Sequence, residues 1–410
     1  MFRLVKEIFG AQVWQASILI STVILQITVA RYVGATGSGT TSVIVAASSI
    51  CIFLVELNLQ SALVRALSVA GDLRRGELRK EAFYGRLFLA LAASPVVALI
   101  VYLKTPYWVI FYGVILGVVA QELNPGWWLQ GTGKVSGSFV ISGCAALVGC
   151  AISIPVVYFY RRPGLECLVT SLSAIAIYGG YWYKVGIAPQ RPRALWATLE
   201  RYFHFAREHK GFLLGSAAFC LYLYPAKLLM ASNRGMEEAG LYVFAMLPAG
   251  AYLAITTAAF NAYFPQFVRA RSLGDREYKS VVRRTALLVL GFGVLAWVVT
   301  LGAQRPLLAL VGDKFRLSVT LAPVLILSRA IGGLVFVVRG AFLARQRENL
   351  AFGVFFAVGV CALVANMIAI PRYGLIGATI VEGAQEITHL MLLLFLLMLT
   401  SKPPTQVTGG

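Results

Sequence analysis

The chain has 410 residues, of which 59% are hydrophobic and only 13% charged, and its mean hydropathy is +0.78. So few charged side chains cannot cover a water-soluble globule of this length, which leaves a chain built for the bilayer. The formal net charge of +19 would point to nucleic acid in a soluble protein; here its placement along the chain is topological instead, and no nucleic-acid partner is expected.

Apolar runs of about 18 to 25 residues, each able to cross a hydrocarbon core as helix, fall at 12–30, 40–63, 83–103, 107–123, 137–159 and 165–186. Six more follow at 211–231, 240–263, 285–303, 319–343, 350–370 and 374–399. The pattern predicts an all-α polytopic membrane protein of about 12 transmembrane helices. The first run lacks a small-residue cleavage site after a short apolar core, so it is expected to stay as a permanent span. Basic clusters follow even-numbered spans: Arg74, Arg75, Arg79 and Lys80, then Arg191, Arg193, Arg201, Arg207 and Lys210, then Arg269, Arg271, Arg276, Lys279, Arg283 and Arg284. The positive-inside bias places those loops, and both termini, in the cytoplasm.

Span one carries Gln15, Thr22 and Gln26 on one stripe, which in lipid must face protein or water. The glycine-rich ARYVGATGSG follows as a tight outer turn. Span two holds Glu56, with Gln60 one turn later and Arg65 at the inner mouth. A carboxylate there needs a partner, water or a proton; a Glu56–Arg65 pair that fixes packing and a functional role both satisfy it. Between spans four and five, QELNPGWWLQGTGKV breaks the helix at Pro125 and Gly126 and offers Trp127 and Trp128 to the headgroup layer, as an anchored inner loop would. Residues 188–210 form a basic amphipathic segment expected to lie flat on the inner surface, with Leu195, Trp196, Leu199, Tyr202 and Phe203 on one face.

Lys227 lies within span seven beside Tyr222, Tyr224 and Pro225; it either snorkels to the outer interface or faces inward. Span eight carries Thr256, Thr257 and Asn261. Span ten holds Arg329 near mid-depth and Arg339 nearer the cytoplasm. A guanidinium cannot shed its charge, so Arg329 must meet an anion, a carboxylate or a water-filled cavity. Span twelve presents Glu382, Gln385, Glu386 and His389 on one face. These either form a salt bridge to span ten, with Glu386 and Arg329 as the expected pair, or a protonatable stripe that couples transport to an ion gradient.

Residues 130–155 and 346–371 align without a gap at 10 identities in 26, including Gly137 with Gly353, Phe139 with Phe355, Gly143 with Gly359 and Pro155 with Pro371. Gly34 and Gly39 recur as Gly235 and Gly240 at an offset of 201. These echoes predict a tandem duplication: a six-helix bundle at 1–187, the cytoplasmic linker at 188–210, a second bundle at 211–400 and a tail at 401–410. Enzyme chemistry finds little support. The three aspartates lie in loops with no DxD spacing, the three histidines form no ligand cluster, and neither a phosphate loop nor a nucleophile elbow occurs. The six cysteines are scattered through apolar runs and read as small core residues. No metal or cofactor is expected beyond a coupling ion, H+ or Na+. Inward Arg65, Lys227, Arg329 and Arg339 against Glu56, Glu382 and Glu386 leave a positive excess, which suits an anionic solute carried by alternating access.

VARYVGATGSGTTSVIV, LNLQSALVRALS, PGWWLQGTGKV, GMEEAGLYVFAMLPAG, FNAYFPQF and NMIAIPRYGLIGATIVEGAQE together resemble the O-antigen flippases of the polysaccharide transporter family. These belong with the multidrug/oligosaccharidyl-lipid/polysaccharide (MOP) exporters. The resemblance implies two bundles related by a pseudo-two-fold axis along the membrane normal, in the bacterial inner membrane. It implies transfer of undecaprenyl-diphosphate-linked oligosaccharide from the cytoplasmic to the periplasmic leaflet, with the polyprenyl tail left in lipid and other polysaccharide assembly proteins as partners. Arg329, Arg339, Arg65 and Lys227 would then hold diphosphate or glycan. Span seven departs from the family in carrying Lys227 where an acidic residue is usual. The alternatives are a peptidoglycan lipid-precursor flippase, a MATE-type drug/cation antiporter and, from another class, a lipid-linked glycan polymerase or ligase.

Overall fold

Inside lipid a chain must satisfy its own backbone N–H and C=O groups, and a helix does so within one segment. The computed structural model describes residues 2–56, 59–187, 192–208, 212–345 and 347–399, and every regular element among them is helical. The first half comprises α1 (Phe2–Tyr32), α2 (Ala35–Glu56), α3 (Leu59–Val69), α4 (Asp72–Lys104), α5 (Trp108–Glu122), α6 (Gly126–Gly131), α7 (Val135–Tyr160) and α8 (Leu165–Lys184). Then come α9 (Pro192–Glu208), α10 (Phe212–Leu223), α11 (Pro225–Arg234), α12 (Met236–Leu273), α13 (Asp275–Val311), α14 (Arg316–Ala344) and α15 (Glu348–Leu399).

Nine segments among the described residues are long and apolar enough to cross a membrane. The difference from the twelve expected has three local causes. The run through α15 contains two spans divided at Gly374, whose backbone is non-helical at φ 53 and ψ −132. α8 is diluted by polar side chains, and the seventh span is broken into α10 and α11 where Pro225 starts a new helix without needing an N–H donor. With those three included, the chain is a polytopic helical membrane protein of the expected size.

The two halves repeat one packing scheme. In the first, α1 lies along α7, while α2, α4 and α5 pack on one another; in the second, α10 lies along α15, and α12, α13 and α14 pack on one another. The repeated glycines sit at equivalent contacts. A Cβ on Gly143 would fall 2.4 Å from the ring of Trp14 on α1, and one on Gly359 would fall 3.2 Å from Leu221 on α10.

The halves meet along α2 and α12. Gly34 (φ 83) and Gly235 (φ 92) precede these helices in backbone conformations that L side chains rarely adopt. One turn on, the backbones touch: a Cβ on Gly39 would lie 1.8 Å from the Met236 carbonyl oxygen, and one on Gly240 would lie 1.8 Å from that of Ala35. The contact is reciprocal, as expected for a two-fold relation between copies.

α9 packs one side on α4. Leu199 and Tyr202 are buried, Tyr202 fills the space over Gly85 of α4, and Arg201 Nε bonds Glu81 at 2.8 Å, while Trp196 and Phe203 stay exposed. The expected apolar face is therefore divided between α4 and the outside.

Neither backbone can yield easily at the α2–α12 contact, so Gly39→Ala and Gly240→Ala should each cost about 1–3 kcal/mol. Thermal unfolding of purified protein should show lowered midpoints for both. Gly250→Ala on α12, where a Cβ meets nothing within 4 Å, should leave the midpoint unchanged.

Candidate functional site

α14 is buried on most of its surface between α12, α13 and α15. Arg329 on this helix is 4% exposed, so its charge must be met inside the protein. The second arm of α15 meets it. Arg329 Nη1 lies 2.7 Å from Glu386 Oε1, and its Nη2 is paired with Glu382. Gly332 makes this possible, because a Cβ there would lie 2.8 Å from the Glu386 carboxyl group. The Tyr222 hydroxyl donates to Glu386 Oε2 at 2.5 Å, His389 Nδ1 lies 3.4 Å from that hydroxyl, and Gln385 Nε2 donates to the Tyr222 carbonyl at 3.3 Å. The i, i+3, i+4, i+7 face of span twelve thus converges on one arginine and one tyrosine.

The expected pairing of Arg329 with Glu386 is formed, and Glu382 joins it, so two carboxylates hold the guanidinium in this conformation. Glu382 and Glu386 are its partners, and the triad carries one negative charge more than the arginine balances.

Arg339 is different. It lies ten residues further along α14, about 15 Å at the helical rise, and is 9% exposed. Its guanidinium sits over the rings of Phe336 at 4.4 Å, Phe219 at 5.3 Å and Phe355 at 5.6 Å, and its Nε has no hydrogen-bond partner. Cation–π contact stabilises a guanidinium without cancelling its charge. Between Arg329 and Arg339, beside Glu386 and His389, a void of about 30 Å³ remains, room for a water or two and not for a headgroup. The expected solute cavity is closed here.

Lys227, half-buried at the start of α11, lies 5.8 Å from the Tyr224 ring and within electrostatic reach of Arg329 and Glu382. Its charge is thus felt by the same cluster. The side chains of Glu56 and Arg65 lie outside the described residues.

Other buried charges escaped the sequence reading. In the first half, Arg86 Nε bonds Glu122 Oε2 at 2.6 Å with both side chains buried, and the Thr41 hydroxyl donates to buried Glu166. The signal was present: Arg86 falls within the third apolar run and Glu122 closes the fourth. Among the described residues, no group of three or more His, Cys, Asp or Glu is placed to hold a metal ion.

No protein-family model and no curated protein sequence matches the chain. Solved structures do. The lipid II flippase MurJ in an inward closed conformation superposes with a TM-score of 0.70 at 13% identity, covering 96% of this chain and 87% of that one. The eukaryotic MATE transporter AtDTX14 gives 0.63 at 13% identity over 98% and 96%. A MOP superfamily transporter from Pyrococcus furiosus, described by a reverse polarity of its binding pocket, gives 0.58 at 11% over 97% of each. The chain has the MOP transporter fold. Such likeness spans nearly the whole length of MOP-fold proteins of different cargo, so cargo has to be argued from this chain's own side chains.

Removing Arg329 would leave two carboxylates facing each other in the buried interior. Arg329→Gln should therefore cost about 3–5 kcal/mol of stability, and adding Glu386→Gln should restore part of it. Arg339→Gln, which strands no carboxylate of this triad, should lower the unfolding midpoint far less.

Proposed function

We propose that the chain is a flippase that moves an undecaprenyl-diphosphate-linked oligosaccharide across the bacterial inner membrane by alternating access, with both termini cytoplasmic. The observation that carries this reading is Arg339: a buried guanidinium held by rings and not by acid, within a MOP fold. A diphosphate cannot enter hydrocarbon cheaply, and a fixed cation that keeps its charge lowers that barrier. Lys227 adds a second positive charge to the same cluster, and the glycan travels with the diphosphate while the polyprenyl tail stays in lipid. Arg65 gathers the headgroup at the cytoplasmic mouth. Other polysaccharide assembly proteins supply and consume the cargo.

In this mechanism Arg329, Glu382 and Glu386 hold the second bundle together and do not bind cargo. Their surplus negative charge is where a coupling ion, H+ or Na+, enters the cycle. Whichever conformation admits that ion is stabilised by it, which biases the two-state equilibrium of the halves.

A MATE-type cation exporter is the second reading, favoured by the same surplus charge beside the rings of Tyr222 and Phe355. The cluster of Arg329, Arg339 and Lys227 against Glu382 and Glu386 has a net charge of +1 and disfavours it. A peptidoglycan-precursor flippase shares the diphosphate and differs in the glycan.

Binding of undecaprenyl diphosphate to the protein in nanodiscs separates these readings. Arg339→Gln should weaken it by about 10- to 100-fold, the worth of one charge-assisted hydrogen bond, with the fold intact. Equal binding by wild type and variant, or preferential binding of a lipophilic cation by the wild type, would count against the flippase.

A further inference from the structure

The loop around Trp127, expected from sequence to be a headgroup anchor, instead floors an internal space. Trp127 is 1% exposed, with its ring stacked on Trp182 at 5.8 Å. α1, α4, α5, α6 and α7 border a half-open space of about 150 Å³ around it. Its walls present the side chains of Gln15, Gln121, Asn124, Gln130 and Ser142, together with Trp127.

Three properties of this space define what it takes. Charge is the first. Arg86, which lines it, is bonded to Glu122 at 2.6 Å and lies over the Trp127 ring at 5.7 Å, so the wall is neutral overall and favours neither an anion nor a cation. Hydrogen-bonding type is the second. A primary amide both donates and accepts, as does a sugar hydroxyl. Among the described residues, no bond within the protein occupies the side-chain amides of Gln15, Gln121 or Gln130, so all three can both donate to and accept from a ligand that fills the space. Size is the third: about 150 Å³ has room for one six-membered ring.

We infer that the first bundle binds a single uncharged sugar ring here, apart from the charge cluster of the second bundle. The flippase reading supplies the source of that ring, the oligosaccharide of the lipid-linked cargo, and the inference rests on that reading to this extent. The two bundles then divide the headgroup, with Arg339 serving the diphosphate and the amides of α1, α5 and α6 serving the glycan. This gives the carrier selectivity for its cargo's sugar, because a space built to bond hydroxyls rejects a ligand that lacks them.

The probe is the repeat-unit oligosaccharide released from the host's own surface polysaccharide, added without lipid to the full-length protein in nanodiscs. Saturation-transfer NMR should show contact at the protons of one ring. Gln15→Ala combined with Gln130→Ala should weaken binding about tenfold, two neutral hydrogen bonds' worth, at an unchanged unfolding midpoint. Arg339→Gln should leave this binding as it is. Should the double variant fail to fold, Gln121→Ala at an exposed position replaces it, with a loss of about fivefold. No transfer to the wild type, as for a space that holds water alone, or undiminished binding by the variants, overturns the sugar site. Binding of the free oligosaccharide by a protein that ignores undecaprenyl diphosphate supports the sugar site and overturns the flippase reading instead.

Discussion

A charge buried in hydrocarbon must be closed by its neighbours, and that requirement organises the molecule. Arg329 is closed by Glu382 and Glu386, Arg86 by Glu122, and Glu166 by the Thr41 hydroxyl. Each of these contacts lies inside one half of the chain. Where the halves meet, the structure changes character, with backbone against backbone at Gly39 and Gly240 and ring against ring at Phe53 and Phe219, 5.7 Å apart. Electrostatic closure thus holds each half together, and close steric packing joins the two. None of these ion pairs has to break for the halves to tilt about α2 and α12.

The proposed carrier needs that division. Its halves must stay folded while the contact between them is remade, and a water-sized void near Arg339 cannot be the form in which a headgroup is held. In the proposed flippase cycle this structure is the form closed in the second bundle. Opening it would expose the guanidinium that the rings now cover to a diphosphate, and the polar space of the first bundle would give the glycan a place of its own.

Much of this was legible in the sequence, for physical reasons that can be named. The bilayer demands long apolar helices, so the spans could be read directly, and the duplication showed as repeated glycines because only glycine tolerates the contacts made by Gly39, Gly240 and Gly143. The charged face of span twelve followed from helical spacing, and its pairing with Arg329 was one of two open readings. Partner choice was not legible, because it depends on which helices face one another. The surplus carboxylate on Arg329 and the ring cage of Arg339 both required the fold. So did the pocket around Trp127, since a tryptophan beside a helix break reads the same way whether it faces headgroups or folds back over Arg86.

The claim most exposed to test is that the halves move as units. Spin labels at Leu73 on α4 and Lys279 on α13, in a background without native cysteines, report the distance between halves by electron–electron resonance. Labels at Leu73 and Tyr183 on α8 report a distance within one half. In nanodiscs the first pair should give two populations whose ratio changes with pH, Na+ or lipid-linked cargo, and the second a single unchanging distance. One fixed distance between the halves under every condition, or a within-half distance that shifts along with it, would contradict the account.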